Sequence, residues 1–133
     1  MNRWSEKKQK NRIKTQFGKN PIDMETWESL QLRMHEIEMY EQRRRKDSNQ
    51  EWVDDVTWND LEMDRVFARI NHTRTYMGEQ ILYHRLHGRK NRQELQRMEK
   101  RIAFFSCQES SRIKVEEKLS HIGKQDRKST RLN

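Results

Sequence analysis

Between residues 54 and 88, apolar side chains recur at intervals of three and four, which is the period of an α-helix and not of a β-strand. The stretch is DDVTWNDLEMDRVFARINHTRTYMGEQILYHRLHG. Its apolar positions form two stripes separated by the polar run NHTRT. The stripes consist of Leu61, Val66, Phe67 and Ile70, and of Met77, Ile81, Leu82 and Leu86.

Capping residues set the expected ends of these two helices. Thr57 and Asp60 have the spacing of a capping box and predict a first helix over about residues 58–71. Thr75 predicts the N-cap of a second helix, and Gly88 predicts its left-handed C-cap. The stretch is therefore expected to form two short helices joined by a tight polar turn.

The same spacing continues on both sides of this stretch. Residues 21–51 predict one amphipathic helix, capped by Asp23 and carrying Trp27, followed by a polar linker. Leu95, Met98, Ile102 and Phe105 form a later seam, and Ile113, Leu119 and Ile122 extend the pattern. Since no segment shows the alternation of a strand, we expect an all-α fold with about five amphipathic helices and a flexible basic N-terminal arm over residues 1–20.

Composition limits how large a core these helices can share. Only 31% of the 133 residues are hydrophobic, 38% are charged, and the mean hydropathy is -1.38. Apolar material is therefore scarce, and we expect a helical module with much exposed surface that needs another structure to pack on. The single cysteine, Cys107, has no internal disulfide partner, and no stretch approaches the roughly 20 apolar residues that span a bilayer. A cytoplasmic protein is expected.

Charge favours a polyanionic partner. The formal net charge is +8, and residues 1–20 hold seven Lys or Arg against one Glu. We expect this arm to contact DNA weakly and without sequence preference, through phosphates and not base edges. The expected contact residues are Arg3, Lys7, Lys8, Lys10, Arg12 and Lys14. A second basic run, Arg43 to Lys46, lies among acidic residues and is interpreted as a solvated linker.

The motifs of common catalytic sites are not found in the sequence. It contains neither the glycine-rich loop of P-loop ATPases nor the dinucleotide-binding GxGxxG pattern. His84 and His87 stand one helical turn apart, but no carboxylate or thiol is patterned around them as further metal ligands. Two partly exposed histidines are the expected outcome. No catalytic residue, metal site, cofactor or small-molecule substrate is predicted for this chain.

The central stretch resembles the start of the core helical domain of the MutS family of DNA mismatch repair ATPases. The resemblance lies in DDVTWNDLEM and in RINHTRTYMGEQILYHRLHG, and extends weakly over residues 52–125. The family's T-x-T-x-M-G-x-x-x-L turn corresponds to Thr73, Thr75, Met77, Gly78 and Leu82. These residues are predicted to form a structural turn, with Gly78 allowing close approach of the backbone. The opening DDVTWNDLEMD is most similar to short MutS-like proteins of Gram-positive bacteria.

The resemblance implies that the chain is the N-terminal part of a larger DNA-binding ATPase. In the family, the core helices form a lever between a DNA clamp and a C-terminal ATPase domain, both of which this chain lacks. ATP and Mg²⁺ would then belong to the missing domain, and a homodimer would form through it. The short MutS-like relatives lack the mismatch-reading domain, so mismatch recognition does not follow from the resemblance.

Two alternatives stay open at this point. Residues 126–133, DRKSTRLN, resemble a translated sequencing adapter, although an ordinary basic tail is the other interpretation. The chain as a whole is either the MutS-like fragment or a stand-alone basic helical adaptor that binds nucleic acid or a partner helix. An in-frame Walker A motif beyond codon 125 would distinguish the first from the second.

Overall fold

The computed structural model describes residues 2–21 and 27–124 of the chain. These residues form an all-α fold, as predicted, with seven helices where about five were expected. Within the described ranges, extended pairing is limited to one isolated bridge between Trp52 and Gly88. The helices are α1 (Arg3–Gln16), α2 (Trp27–Lys46), α3 (Asp55–Asp60), α4 (Met63–Ile70), α5 (Tyr76–His87), α6 (Arg92–Cys107) and α7 (Glu109–Ile122).

The chain divides into two compact units. The central unit spans Lys19–Lys90 and contains α2 to α5. The terminal unit combines the two ends of the chain, Met1–Gly18 and Asn91–Asn133, and contains α1, α6 and α7. Within the central unit α2 packs against α5, and within the terminal unit α7 packs against both α1 and α6.

The N-terminal segment is a correction to the sequence analysis. It was expected to be a flexible arm over residues 1–20, but α1 occupies most of it. Asn2 caps the helix by accepting a hydrogen bond from the Trp4 amide at 3.4 Å. Lys, Arg and Gln are good helix formers, and buried Ile13 gives the helix one anchored side. High charge density predicted flexibility here, but it did not preclude a helix.

The basic run at residues 43–46 also differs from the prediction, because it forms the last turn of α2 and not a linker. Cationic side chains at a helix C-terminus interact favourably with the helix dipole, which explains why the helix continues through them. The predicted cap of this helix, Asp23, lies outside the described residues, as do residues 126–133.

A single helix was predicted over residues 58–71, but the structure has two, α3 and α4. Glu62, between them, has a left-handed backbone with a φ of 50°. Trp58 and Phe67 are both buried in one core, yet they are nine residues apart. At about 3.6 residues per turn, a continuous helix would place them on opposite faces. The break brings both rings to the same side.

The caps of this region were predicted with mixed success. The N-cap of α3 is Asp54, whose carboxylate accepts from the Thr57 amide and hydroxyl, each at 2.8 Å, so the predicted Thr57 capping box is wrong. Thr75 caps α5 as predicted. The left-handed C-cap at Gly88 is wrong, because its φ is -81°. Gly88 instead forms an isolated antiparallel bridge with Trp52. A Cβ atom on Gly88 would lie 2.6 Å from the side-chain amide nitrogen of Gln50.

The central unit has a contiguous core. Tyr83 contacts both Trp58 and Phe67 edge to face, with ring centroids 5.2 and 5.0 Å apart. Such aromatic pairs contribute stability beyond the area they bury. The buried cluster consists of Leu30, Ile37, Trp58, Phe67, Ala68 and Tyr83, with Met34, Val53, Met63, Leu82 and Leu86 packed against it.

Among the described residues, the terminal unit has fewer buried apolar side chains than the central unit. α6 begins with the capping box of Asn91 and Glu94 and contains no buried residue. Leu95, Met98 and Ile102, three members of the predicted seam, are exposed. At the α6–α7 junction, buried Arg112 donates a 2.7 Å hydrogen bond to the Phe105 carbonyl. The helical period of the seam was predicted, but its burial was not observed.

Candidate functional site

The six residues predicted to contact DNA lie together on α1, and all of them are exposed. The helix buries Ile13, and Ser5, Gln9 and Gln16 on the same side are partly covered. Arg3, Lys7, Lys10 and Lys14 follow the spacing i, i+4, i+7 and i+11, so they form one row along the helix. Lys8 and Arg12 lie elsewhere on the exposed surface. Folding therefore converts a basic segment into an ordered row of cations.

Two of these cations also have partners inside the terminal unit. The Lys14 ammonium lies 3.2 Å from the Glu109 carboxylate, although both side chains are more than half exposed. The Lys8 ammonium lies 5.3 Å from the centre of the Trp4 ring. Exposed ion pairs are weak and screened by salt, so Lys14 can still exchange Glu109 for another anion. Glu6 is the one acidic residue within α1.

The basic run in α2 is arranged differently. Arg45 donates to the buried Glu41 carboxylate at 2.9 Å, lies 3.8 Å from Asp55, and covers the Trp52 ring at 5.8 Å. Its charge is therefore balanced within the central unit. Arg43, Arg44 and Lys46 are exposed in the same turn. The two aromatic residues near this run, Trp52 and Tyr40, pack around His84 with ring centroids 4.9 and 6.2 Å away.

The predicted structural turn is built around Thr75 and Gly78. The Thr75 hydroxyl accepts a hydrogen bond from the Gly78 amide at 2.9 Å. A Cβ atom on Gly78 would lie 2.9 Å from that hydroxyl oxygen and 3.5 Å from the Thr73 Cβ. The side chains of Thr75 and Thr73 therefore lie close to the Gly78 backbone. Leu82 packs against the core as expected, whereas Met77 is 69% exposed and takes no part in it.

A buried ion pair beside this turn was not anticipated from the sequence. Glu79 and Arg33 form two hydrogen bonds, from Nε at 2.9 Å and from Nη2 at 2.7 Å. The Asn71 side-chain amide donates to the same carboxylate at 2.7 Å, and Thr73 donates to Asn71. This bidentate geometry joins α2 to the turn and to α5. One clue was the position of Glu79, one helical turn before the core residue Tyr83.

His84 and His87 are held by packing. His87 is buried, in contrast to the prediction of partial exposure, and its ring stacks on Trp58 with centroids 3.5 Å apart. His87 Nδ1 lies 2.9 Å from the Tyr83 carbonyl oxygen, and His84 Nδ1 lies 4.0 Å from the Glu41 carboxylate. Burial lowers the pKa of both imidazoles, so the neutral forms are favoured.

A cleft of about 480 Å³ opens beside His87 in the central unit. At its wall, Asp64 accepts hydrogen bonds from the Trp58 indole at 3.0 Å and from the Tyr83 hydroxyl at 2.8 Å. Burial, together with the charge of Asp64, raises the pKa of Glu38. Asp64 and Arg45, which line the cleft, are therefore both engaged in contacts within the unit. In the part of the chain that the structure describes, no three His, Cys, Asp or Glu side chains are grouped to hold a metal ion.

Comparisons with protein-family models, with curated proteins and with solved structures find no match to this chain. Within residues 2–21 and 27–124, none of the helices combines the length and apolar character needed to cross a bilayer. The functional interpretation therefore depends on the geometry of the two units and on the resemblance of the central stretch. Of the surfaces described, the exposed cations of α1 are the most clearly complementary in charge to a polyanion.

Proposed function

We propose that this chain is a non-catalytic helical part of a MutS-like DNA-binding ATPase and that it contacts DNA phosphates through α1. The observation that carries the DNA-binding proposal is the exposure of six cationic side chains along α1, with a single acidic residue in the same helix. Cations in this arrangement release condensed counterions from a nucleic acid on binding. The proposed contacts are made by Arg3, Lys7, Lys8, Lys10, Arg12 and Lys14.

The lever role is supported by the resemblance and by the construction of the turn. Thr75, Gly78 and Leu82 each have a defined packing or capping contact, as a structural turn requires. The ion pair of Arg33 and Glu79 braces α5 against α2 and would stiffen an element that transmits motion. In this proposal the ATPase domain, its ATP and Mg²⁺, and dimerisation through it belong to the rest of the protein, in the cytoplasm.

A stand-alone adaptor is the second candidate, and the exposed apolar residues of α6 favour it. Leu95, Met98 and Ile102 repeat at three and four on one side of the helix, as residues that pack on a partner helix do. The gene separates the two candidates directly. An in-frame Walker A motif beyond codon 125 supports the MutS-like ATPase, whereas a genuine stop codon there supports the adaptor.

DNA binding is tested by titrating the full chain with a perfect duplex and a mismatched duplex at two salt concentrations. We expect weak binding, equal for both duplexes, with a log-log salt slope of about -0.9 per phosphate neutralised. Arg3→Gln, Lys7→Gln and Lys10→Gln, combined, should make the slope less steep by about 2.7 if each side chain neutralises one phosphate. Point variants are preferable to deleting residues 1–20, because deletion also removes the buried Ile13.

The matched control removes the same amount of charge from the central unit. Arg65, Arg69 and Arg85 are exposed there, and their combined change to Gln should leave the slope close to that of the wild type. A mismatch preference above tenfold, or an unchanged slope in the α1 variant, would contradict the proposal.

A further inference from the structure

One large aromatic side chain of α1 is mostly exposed to solvent. Trp4 is 70% exposed in the first turn, away from the partly covered side that Ser5, Gln9 and Ile13 define. Trp4, Lys8, Asn11 and Thr15 form a row at i, i+4, i+7 and i+11. This row runs directly beside the cationic row that begins at Arg3.

The setting of the Trp4 ring is electrostatically suited to a nucleic-acid base. The Lys8 ammonium lies 5.3 Å from the ring centre, so a cation accompanies the indole. Proteins that bind single strands combine a positively charged track for the backbone with aromatic rings on which bases stack. The cationic row from Arg3 to Lys14 is about 16 Å long at 1.5 Å per residue and supplies such a track.

A duplex and a single strand would use this surface differently. Both present phosphates to the cationic row, but the bases of a duplex are paired and stacked on one another. A single strand has bases whose faces can reach an exposed ring. From this arrangement, which rests on the proposed phosphate binding by α1, we infer that the chain prefers single-stranded nucleic acid, with Trp4 stacking on an unpaired base. The preference requires no base-edge recognition and remains independent of sequence.

The test compares an end-labelled single strand of about 12 nucleotides, within the site size of such proteins, with a duplex of the same length. Binding to the full chain is measured by fluorescence anisotropy at one low salt concentration. We expect the wild type to bind the single strand about tenfold more tightly, which corresponds to the usual stacking contribution of one base. Trp4→Leu should lose this advantage and leave duplex affinity unchanged.

Trp4→Phe is the conservative control, because it keeps an aromatic face. It should retain most of the preference for the single strand, whereas Leu keeps apolar character and loses stacking. Circular dichroism checks that each variant keeps its helix content. Since Trp4 is exposed, neither substitution removes a buried contact.

The outcomes separate this inference from the proposed function. Equal binding of both DNAs by the wild type, or unchanged single-strand binding by Trp4→Leu, overturns the role of Trp4 and leaves phosphate binding by α1 intact. If changing Arg3, Lys7 and Lys10 to Gln weakens binding to neither DNA, both this inference and the proposed function are overturned. A third probe, vesicles containing phosphatidylserine, tests a lipid surface. Trp4-dependent vesicle binding without a single-strand preference would also overturn the inference.

Discussion

The central and terminal units use their charged side chains in opposite ways. In the central unit, Arg33 is buried against Glu79, and Arg45 pairs with Glu41, so charges hold helices together. In the terminal unit, the cations of α1 are exposed, and the ion pair of Lys14 with Glu109 is itself exposed to solvent. Both units have strongly charged helices with the same periodicity. The comparison indicates that a basic helix is the better candidate binding surface where its cations form an exposed row, as in α1, than where one of them is paired inside its own unit, as Arg45 is in α2.

Apolar side chains show the same contrast, and the largest expected effect comes from two phenylalanines. Phe67 is fully buried in the central core, whereas Phe104 in α6 is 51% exposed. We expect Phe67→Ala to lower the free energy of unfolding by about 3 to 5 kcal/mol, because a buried ring leaves a cavity. Phe104→Ala should cost less than about 1 kcal/mol. Urea denaturation followed by circular dichroism measures both, and equal losses would remove the distinction between the units.

The buried ion pair gives the next largest effect. Glu79→Gln keeps the shape of the side chain but removes the negative charge that faces Arg33, so we expect a loss of about 3 kcal/mol. Glu62→Gln is the control, since Glu62 is exposed and lies 3.8 Å from exposed Arg65. Its effect should stay within about 0.5 kcal/mol. Similar unfolding midpoints for the two variants would show that the Arg33–Glu79 pair does not hold α2 against α5.

A smaller effect is expected at Gly78. Any Cβ atom there would lie 2.9 Å from the Thr75 cap oxygen, so Gly78→Val should destabilise the central unit by about 1 to 3 kcal/mol through overpacking. Met77→Val places the same side chain at the neighbouring, exposed position and controls for the β-branched residue in a helix. If both variants denatured at the same urea concentration, close packing at Gly78 would be excluded as the reason for a glycine.

The sequence predicted helices better than it predicted what they bury. Regular spacing identified the all-α class and the Thr75 cap, because both depend on neighbours along one helix. The break at Glu62 was missed, because it follows from the packing of Trp58 and Phe67, nine residues apart, into one core. The seam of Leu95, Met98 and Ile102 has the same three-and-four spacing as the buried stripes. The spacing alone therefore could not show that this seam is exposed. Tertiary context decides these features.

The candidate surfaces show the same limit. Composition located the cationic residues of α1, but it could not show that Arg3, Lys7 and Lys10 share one row, because the segment was interpreted as flexible. Glu79 resembled an ordinary helical glutamate, and its partner Arg33 lies 46 positions away in the chain. Pairings over such distances follow from how α2 and α5 pack, which local patterns do not contain.

The most direct measurement compares the two basic runs in the same assay. One variant changes Arg3, Lys7 and Lys10 of α1 to Gln, and the other changes Arg43, Arg44 and Lys46 of α2 to Gln, so both lose the same charge. DNA affinity is measured by anisotropy across a salt series. We expect the α1 variant to flatten the salt slope by about 2.7 and the α2 variant to leave it near the wild-type value. Equal flattening by both variants would mean that net charge alone drives binding and would contradict the assignment of the DNA surface to α1.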